Sequence, residues 1–182
     1  GAVTVNVTSA QARRSEFRRD FSPMTVLDGG YKGYACFENY WQAGKAWSGV
    51  PLSVSKGWWA AQTKGRRRYP GGKGRTVLWA IHSAVDKPLG YIESRKKVYV
   101  PEYDALMRGT PSFRRLRRAV MNGSDVVIMD FDGPRAADGG VQCKELTLEL
   151  LREKINDPSQ PFGHGYVVAA ALRGISAARY TV

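Results

Sequence analysis

Three polar side chains in an otherwise apolar stretch are the first place where this sequence could do chemistry. Between Cys36 and Trp47 the only helix breaker is Gly44, and the spacing predicts one helix over the whole segment. On it Glu38, Gln42 and Lys45 fall at i, i+4 and i+7 and share a face, while Phe37, Tyr40, Trp41 and Ala43 cover much of the rest. A fixed carboxylate stabilises developing positive charge and orients or deprotonates water. A lysine on the same face holds a phosphate or tunes the carboxylate, and an amide between them offers donor and acceptor to a hydroxyl or a base. Trp41, with Tyr34 and Phe21 upstream, supplies rings that stack on a base. The plain alternative is a surface helix on which Glu38 and Lys45 are merely solvated.

Two further groups of side chains qualify. Asp130 and Asp132 follow the short β-branched run Val126 to Met129, and a strand end holds a carboxylate rigidly at the rim of a cleft. With Gly133-Pro134 behind them they equally well only make a turn. His164 stands between two glycines just before a helical segment, where backbone donors face an anion, whereas His82 sits in an apolar strand and reads as structural. The sequence contains no Gly-x-x-x-x-Gly-Lys-Ser/Thr, Gly-x-Ser-x-Gly or His-Glu-x-x-His, so P-loop, serine-hydrolase and zinc-protease chemistry lack their local anchors. Two cysteines, Cys36 and Cys143, and two histidines do not suffice for a Cys- or His-based zinc site, and no metal or other cofactor is expected.

The elements that position these residues follow from pattern and punctuation. Val3 to Thr8 alternates with period two and reads as a strand, as do Thr76 to Ser83 and Gly90 to Val100 with Asp86-Lys87-Pro88 as their turn. Ser53 to Gln62, Pro111 to Asn122, Cys143 to Asn156 and Gly165 to Arg173 read as helices, and Asp125 to Phe131 as a buried strand. The expected fold is α+β, a single compact domain over residues 1–182, mostly helical with a small central β-sheet. Residues 63–75 lose all apolar periodicity. There Gly65, Pro70, Gly71, Gly72 and Gly74 alternate with basic residues, as in a surface loop whose backbone approaches a ligand closely.

Composition bounds the class. With 182 residues, 43% of them hydrophobic and 24% charged, the chain is long enough for one real core and too apolar for a disordered segment. No apolar run approaches the roughly 18 to 20 residues that cross a bilayer, and the first residues lack a signal pattern. A cytoplasmic protein without a membrane partner is therefore expected. The formal net charge of +12 is the footprint of a phosphate-rich partner. It is concentrated at Arg13 to Arg19, Lys64 to Arg75, Arg95 to Lys97 and Arg108 to Arg118. Candidate phosphate or nucleic-acid contacts are Arg66, Arg67, Arg68, Lys73 and Arg75 in the loop, and Arg114, Arg115 and Arg118 on a helix; the plain alternative is a solvated, solubilising face.

The segment Phe37-Glu38-Asn39-Tyr40-Trp41-Gln42-Ala43-Gly44-Lys45 resembles the Glu-His-Tyr-Phe-Gln-Ala-x-Lys helix of the NADAR superfamily, N-glycosidases that act on nucleotide-derived substrates. Asp20-Phe21-Ser22-Pro23-Met24 is similar to the family's Phe-Ser-Asn-Phe element, and Gly30-Tyr31 to Gly33-Tyr34 to its Gly-x-x-Tyr turn. Val126 to Asp132 resembles its apolar strand ending in an acidic residue, and Gly163 to Arg173 its last helix. Pro23 stands where the family has asparagine and Asn39 where it has histidine. The resemblance implies an N-glycosidase with Glu38 and one of Asp130 and Asp132 as catalytic carboxylates. It also implies substrate contacts from Phe21, Ser22, Tyr34, Trp41, Gln42, Lys45 and His164. Cleavage passes through an oxocarbenium-like state that such a carboxylate stabilises.

Members of the superfamily act on a riboflavin-pathway intermediate or on ADP-ribosylated guanine. Only the second substrate, in DNA, accounts for the basic clusters. The expected partner is ADP-ribosylated nucleic acid, single-stranded DNA above all. The setting would be a toxin antidote or a phage counter-defence that reverses DNA ADP-ribosylation. The competing expectations are a non-catalytic nucleic-acid-binding protein, and an N-glycosidase of a free nucleotide-sugar whose diphosphate Arg66 to Arg68 clamp.

Overall fold

The structure, a computed structural model, describes residues 2–9, 15–82 and 87–182. In chain order its elements are β1 (Val3–Asn6), α1 (Glu16–Phe21), α2 (Phe37–Ala43), β2 (Lys45–Trp47), α3 (Leu52–Ala60), β3 (Val77–Ala80), α4 (Tyr91–Ser94), α5 (Val100–Arg108), α6 (Pro111–Met121), β4 (Val126–Met129), α7 (Leu148–Ile155) and α8 (His164–Arg173). This is the mainly helical α+β content expected of the sequence. Arg13, Arg14, Ser83 and Asp86 lie outside the described residues. The chain forms two compact units, one from Gly1–Ser22 with Arg95–Val182 and the other from Pro23–Ser94. The strands divide accordingly into two pairs instead of one sheet.

In the first unit β1 and β4 run parallel, Val3 opposite Val126 and Asn6 opposite Met129. Val5 and Val7 turn inward, and the core they enter is built around α8. That helix, His-Gly-Tyr-Val-Val-Ala-Ala-Ala-Leu-Arg, is buried at nearly every position, and its alanines let α5 and α6 pack close against it. It stops at Gly174, whose φ of +83° is the left-handed conformation that favours glycine. Caps start the other helices where a hydroxyl is available: Thr110 accepts from the Phe113 N–H and Thr147 from the Leu150 N–H. The Thr147 cap explains why α7 begins at Leu148 and not at Cys143, since residues 143–145 are exposed and contribute nothing to the apolar stripe.

The second unit packs α2 and α3 against the antiparallel pair β2 and β3, which is irregular between Ala46 and Trp47. Leu89 extends that pair by exchanging two backbone hydrogen bonds with Ala80. Cys36, Phe37, Tyr40, Trp59 and Leu89 form its interior. The predicted helix Cys36–Trp47 is cut at Gly44. The Gly44 carbonyl accepts from the Ile81 N–H, and the His82 ring occupies the space that any side chain at position 44 would need.

The other large departure is Gly90 to Val100, expected as a strand and found helical. α4 leads into a π-helical turn at Arg95–Tyr99 and then α5, with Pro101 tolerated in its first turn. Val98, Tyr99 and Val100 are β-branched or aromatic, but all three are buried, and packing outweighs their strand propensity. β4, expected to be buried, is half-exposed along its length. Among the described residues no helix is long and apolar enough to cross a membrane.

Arg95 shows what holds the end of α7. Its buried guanidinium donates to the carbonyls of Ile155, Asp157 and Gln160, three acceptors that the helix itself cannot satisfy. Arg95→Met keeps the apolar stem and orphans those carbonyls, so it should lower stability by about 3 kcal/mol. Urea unfolding measures this, and a loss below about 0.5 kcal/mol would mean that the three bonds are replaced by water at no cost.

Candidate functional site

Helix α2 carries the site in the second unit. In its first turn the Glu38 N–H donates to the Pro23 carbonyl at 2.9 Å, which ties the helix start to the segment before it. Glu38 is half-buried, and the Gln42 side-chain amide donates to its carboxylate at 2.8 Å, the i, i+4 pairing that the spacing predicts. Lys45 is not on this helix. It is the first residue of β2, beyond Gly44, yet it remains within electrostatic reach of Glu38. Burial pulls the Lys45 ammonium below the usual lysine range, and the Glu38 charge pulls it partly back.

Aromatic side chains wall this region. Tyr34 is half-buried, its ring edge-on to Tyr40 at 6.1 Å, and burial raises its phenol. Tyr31 meets Phe37 and Tyr40 at 5.3 and 5.2 Å, and the Lys32 ammonium lies 5.4 Å from the Tyr40 ring centre. Trp41 stacks on His82 with centroids 5.3 Å apart and planes 10° from parallel. His82, read from sequence as structural, is indeed buried beneath the site-bearing helix.

The basic loop is a built arm. Asn39, with 0% exposure, accepts from the Arg66 N–H at 2.9 Å and donates to the Lys64 carbonyl at 3.0 Å. At the far end Pro70–Gly72 makes a 3-10 turn over an aromatic base in which Tyr69 meets Trp58 at 5.5 Å and Trp47 at 6.4 Å. The Arg75 guanidinium donates to the Ser48 carbonyl at 2.8 Å. The glycines were expected to let the backbone approach a ligand, and three of them serve the protein's own packing instead. A Cβ would come within 2.6 Å of the Met24 carbonyl oxygen at Gly65, 2.5 Å of the Tyr69 ring at Gly71, and 2.9 Å of the Trp47 ring at Gly72. Lys64, Arg66, Arg67, Arg68, Lys73 and Arg75 are all exposed on this frame. Between Glu38 and Asp86 the sequence has no carboxylate at all.

The remaining candidates lie in the first unit and are mostly occupied by internal work. Phe21, with 0% exposure, cannot stack on a base, and its carbonyl accepts from the buried Tyr103 hydroxyl at 2.6 Å. Ser22 is buried and donates to the Ser9 hydroxyl. Asp130 has a side chain only 7% exposed, and its oxygens accept from the Gly165 N–H at 2.9 Å and the Phe131 N–H at 2.8 Å. The anion expected at the start of α8 is therefore this carboxylate, and side chains at Gly163 or Gly165 would collide with it. His164, expected to contact substrate, bonds through Nε2 to the Val7 carbonyl at 2.6 Å, with Nδ1 3.7 Å from Asp130. The nearby Tyr166 phenol is pushed up to about 12, by burial first and then by the Asp130, Glu153 and Asp132 charges. Asp132 is half-buried.

Asp130 and Tyr166 border an open cavity of about 870 Å³ against β4 and α8, with Leu146 and Ala169 in its lining. On α6, Arg115 donates through Nη2 to both carboxylate oxygens of Glu16 and Arg114 donates to the Gly109 carbonyl, while Arg118 is exposed. Both cysteines are free thiols. Among the described residues no group of three His, Cys, Asp or Glu side chains is placed to hold a metal. Asn39 is the arm-anchoring residue that helix periodicity does not single out, because its partners are backbone atoms of a distant loop.

No protein-family model, curated protein or solved structure matches the chain.

The Glu38–Lys45 proximity has a titration signature. Glu38 raises the lysine's proton affinity, so Glu38→Gln should move the Lys45 pKa further down. A 13C-lysine NMR titration reads this directly; an unchanged or higher value would separate the two charges.

Proposed function

We propose that this chain is an N-glycosidase that removes ADP-ribose from a modified guanine base in nucleic acid, with Glu38 as the carboxylate at the reacting centre. The observation that carries the reading is the arrangement on α2. A carboxylate on the helix that anchors an arm of exposed cations is oriented by Gln42 and sensed by a half-buried lysine just beyond the helix end. In the reaction the bond from the ribose C1′ to the base nitrogen breaks and positive charge develops on the sugar. Glu38 stabilises that charge and takes a proton from the water that attacks C1′, and the departing base gains a proton. Gln42 fixes the carboxylate, and Lys45 faces the diphosphate of the ADP-ribosyl group. Trp41 and Tyr34 offer ring surface to the base.

The charge supports a polymeric substrate. A free nucleotide-sugar needs one or two cations, whereas the arm supplies six with no carboxylate among them. Asp130 is committed to the start of α8, where its carboxylate accepts from the Gly165 N–H. Reversal of DNA ADP-ribosylation as an antidote or counter-defence is the setting that fits this chemistry. A protein that binds nucleic acid through the arm without turnover is the second reading, favoured by the arm's being built from contacts that do not involve the Glu38 carboxylate.

Incubation with ADP-ribosylated single-stranded DNA, with an ADP-ribosylated guanine nucleoside and with riboflavin-pathway intermediates, followed by mass spectrometry, identifies the released sugar. Glu38→Gln should reduce turnover by about 10²-fold or more at unchanged melting temperature, and survival within about tenfold would remove Glu38 from catalysis. Neutralising Arg66, Arg67 and Arg68 together should flatten the dependence of log K on log salt by about two units. Loss of the nucleoside reaction with DNA affinity intact would instead assign these arginines to the substrate's own diphosphate.

A further inference from the structure

Asn39 is next to Glu38 on α2 but plays no part in the chemistry proposed for that helix. Its fully buried amide uses both ends on one three-residue stretch, Oδ1 on the Arg66 N–H and Nδ2 on the Lys64 carbonyl. Two opposed bonds of this kind fix the orientation of the strand they hold as well as its distance. The residue between them, Gly65, lies so close to the Met24 carbonyl that a Cβ would come within 2.6 Å of its oxygen. Met24 follows Pro23, whose carbonyl accepts from the Glu38 N–H at 2.9 Å. The contacts thus close a ring, from Glu38 to the 23–24 segment, to the arm root, and back through Asn39. The exposed arginines at 66, 67 and 68 start from this ring, and the turn packed on Tyr69 and Trp47 holds the other end of their segment.

We propose that Asn39 is a positioning residue that couples the arm to Glu38. Through it, nucleic acid bound by Arg66 to Arg68 is held in a fixed register to the catalytic carboxylate, and preference for a polymeric over a nucleoside substrate depends on this amide. The inference rests on the reading given above for Glu38 and the arm. Its physical basis is preorganisation: cations on a fixed frame lose less freedom on meeting phosphates than cations on a loose loop. Loss of the amide takes from the Lys64 carbonyl and the Arg66 N–H the partner that holds them and releases the root.

The experiment compares wild type with Asn39→Ala, Asn39→Asp and Gly65→Ala, each checked for fold by circular dichroism. Asn39→Asp keeps the volume and the acceptor for Arg66 while losing the donor to Lys64, and Gly65→Ala displaces the root without touching Asn39. Fluorescence anisotropy on a single-stranded oligonucleotide across a salt series should show about tenfold weaker binding and a slope flatter by about one unit for Asn39→Ala and Gly65→Ala, with Asn39→Asp between them and wild type. On substrates, kcat/KM for the ADP-ribosylated oligonucleotide should fall about tenfold while the value for the ADP-ribosylated nucleoside stays within about threefold.

Folded variants that keep wild-type affinity, slope and polymer preference overturn the proposal. So does an equal loss on both substrates, which a merely structural role would give, or a wild-type protein that does not bind the oligonucleotide. If wild type hydrolyses neither substrate, the N-glycosidase reading fails by itself. The anisotropy series then still decides whether Asn39 sets the arm.

Discussion

The space left by the missing side chain of Gly44 decides the geometry of the unit that bears Glu38. The His82 ring fills it, and no residue with a Cβ fits there without displacing the ring. Three consequences follow. Helix α2 ends at Ala43, the chain turns into β2 and pairs with β3, and Trp41 gains a flat surface to stack on. Lys45 is thereby carried off the helix and onto a strand, where it is more buried than a helix-surface lysine would be. Its charge meets that of Glu38 in a medium less screened than water. A continuous helix would have placed both side chains on one solvated face and made the pair worth little.

The first unit uses the same device with opposite polarity. At the start of α8 the space beside Gly163 and Gly165 is filled by the Asp130 carboxylate, which accepts the helix's own N–H and lies beside the ring of His164. A carboxylate there satisfies a donor that the helix cannot, and it complements the positive end of the helix dipole. Residues that look catalytic in the sequence, an acidic strand end and a histidine flanked by glycines, are in this way consumed in holding β1, β4 and α8 together.

This division explains what was legible. Local patterns survived: the Glu38–Gln42 pairing, α6, α8 and the parallel strands at Val3 and Val126 follow from spacing and β-branching within a few residues. What failed depends on partners far along the chain. The end of α2 is set by His82, the helical state of Val98 to Val100 by burial on more than one side, and the burial of Phe21 by the packing of the first unit. Glycine was the least legible residue. In the basic loop its abundance suggested a backbone open to a ligand, whereas Gly65, Gly71 and Gly72 are small because Met24, Tyr69 and Trp47 already occupy the space.

Charge shows the same contrast between composition and placement. Many of the arginines outside the arm have local duties: Arg115 pairs with Glu16, Arg108 with Asp104 and Arg173 with Glu145, while Arg95, Arg114 and Arg117 donate to backbone carbonyls. Exposed pairs of this kind contribute little to stability, but each couples a cation to an anion and shrinks the field seen by a distant ligand. The arm's own segment contains no carboxylate, and the bond from the Arg75 guanidinium to the Ser48 carbonyl leaves the positive charge in place. The net charge of +12 is therefore a poor guide to where a polyanion would bind. The better guide is where cations stand on a fixed frame without anions between them, and in this molecule that place begins at the residue beside Glu38.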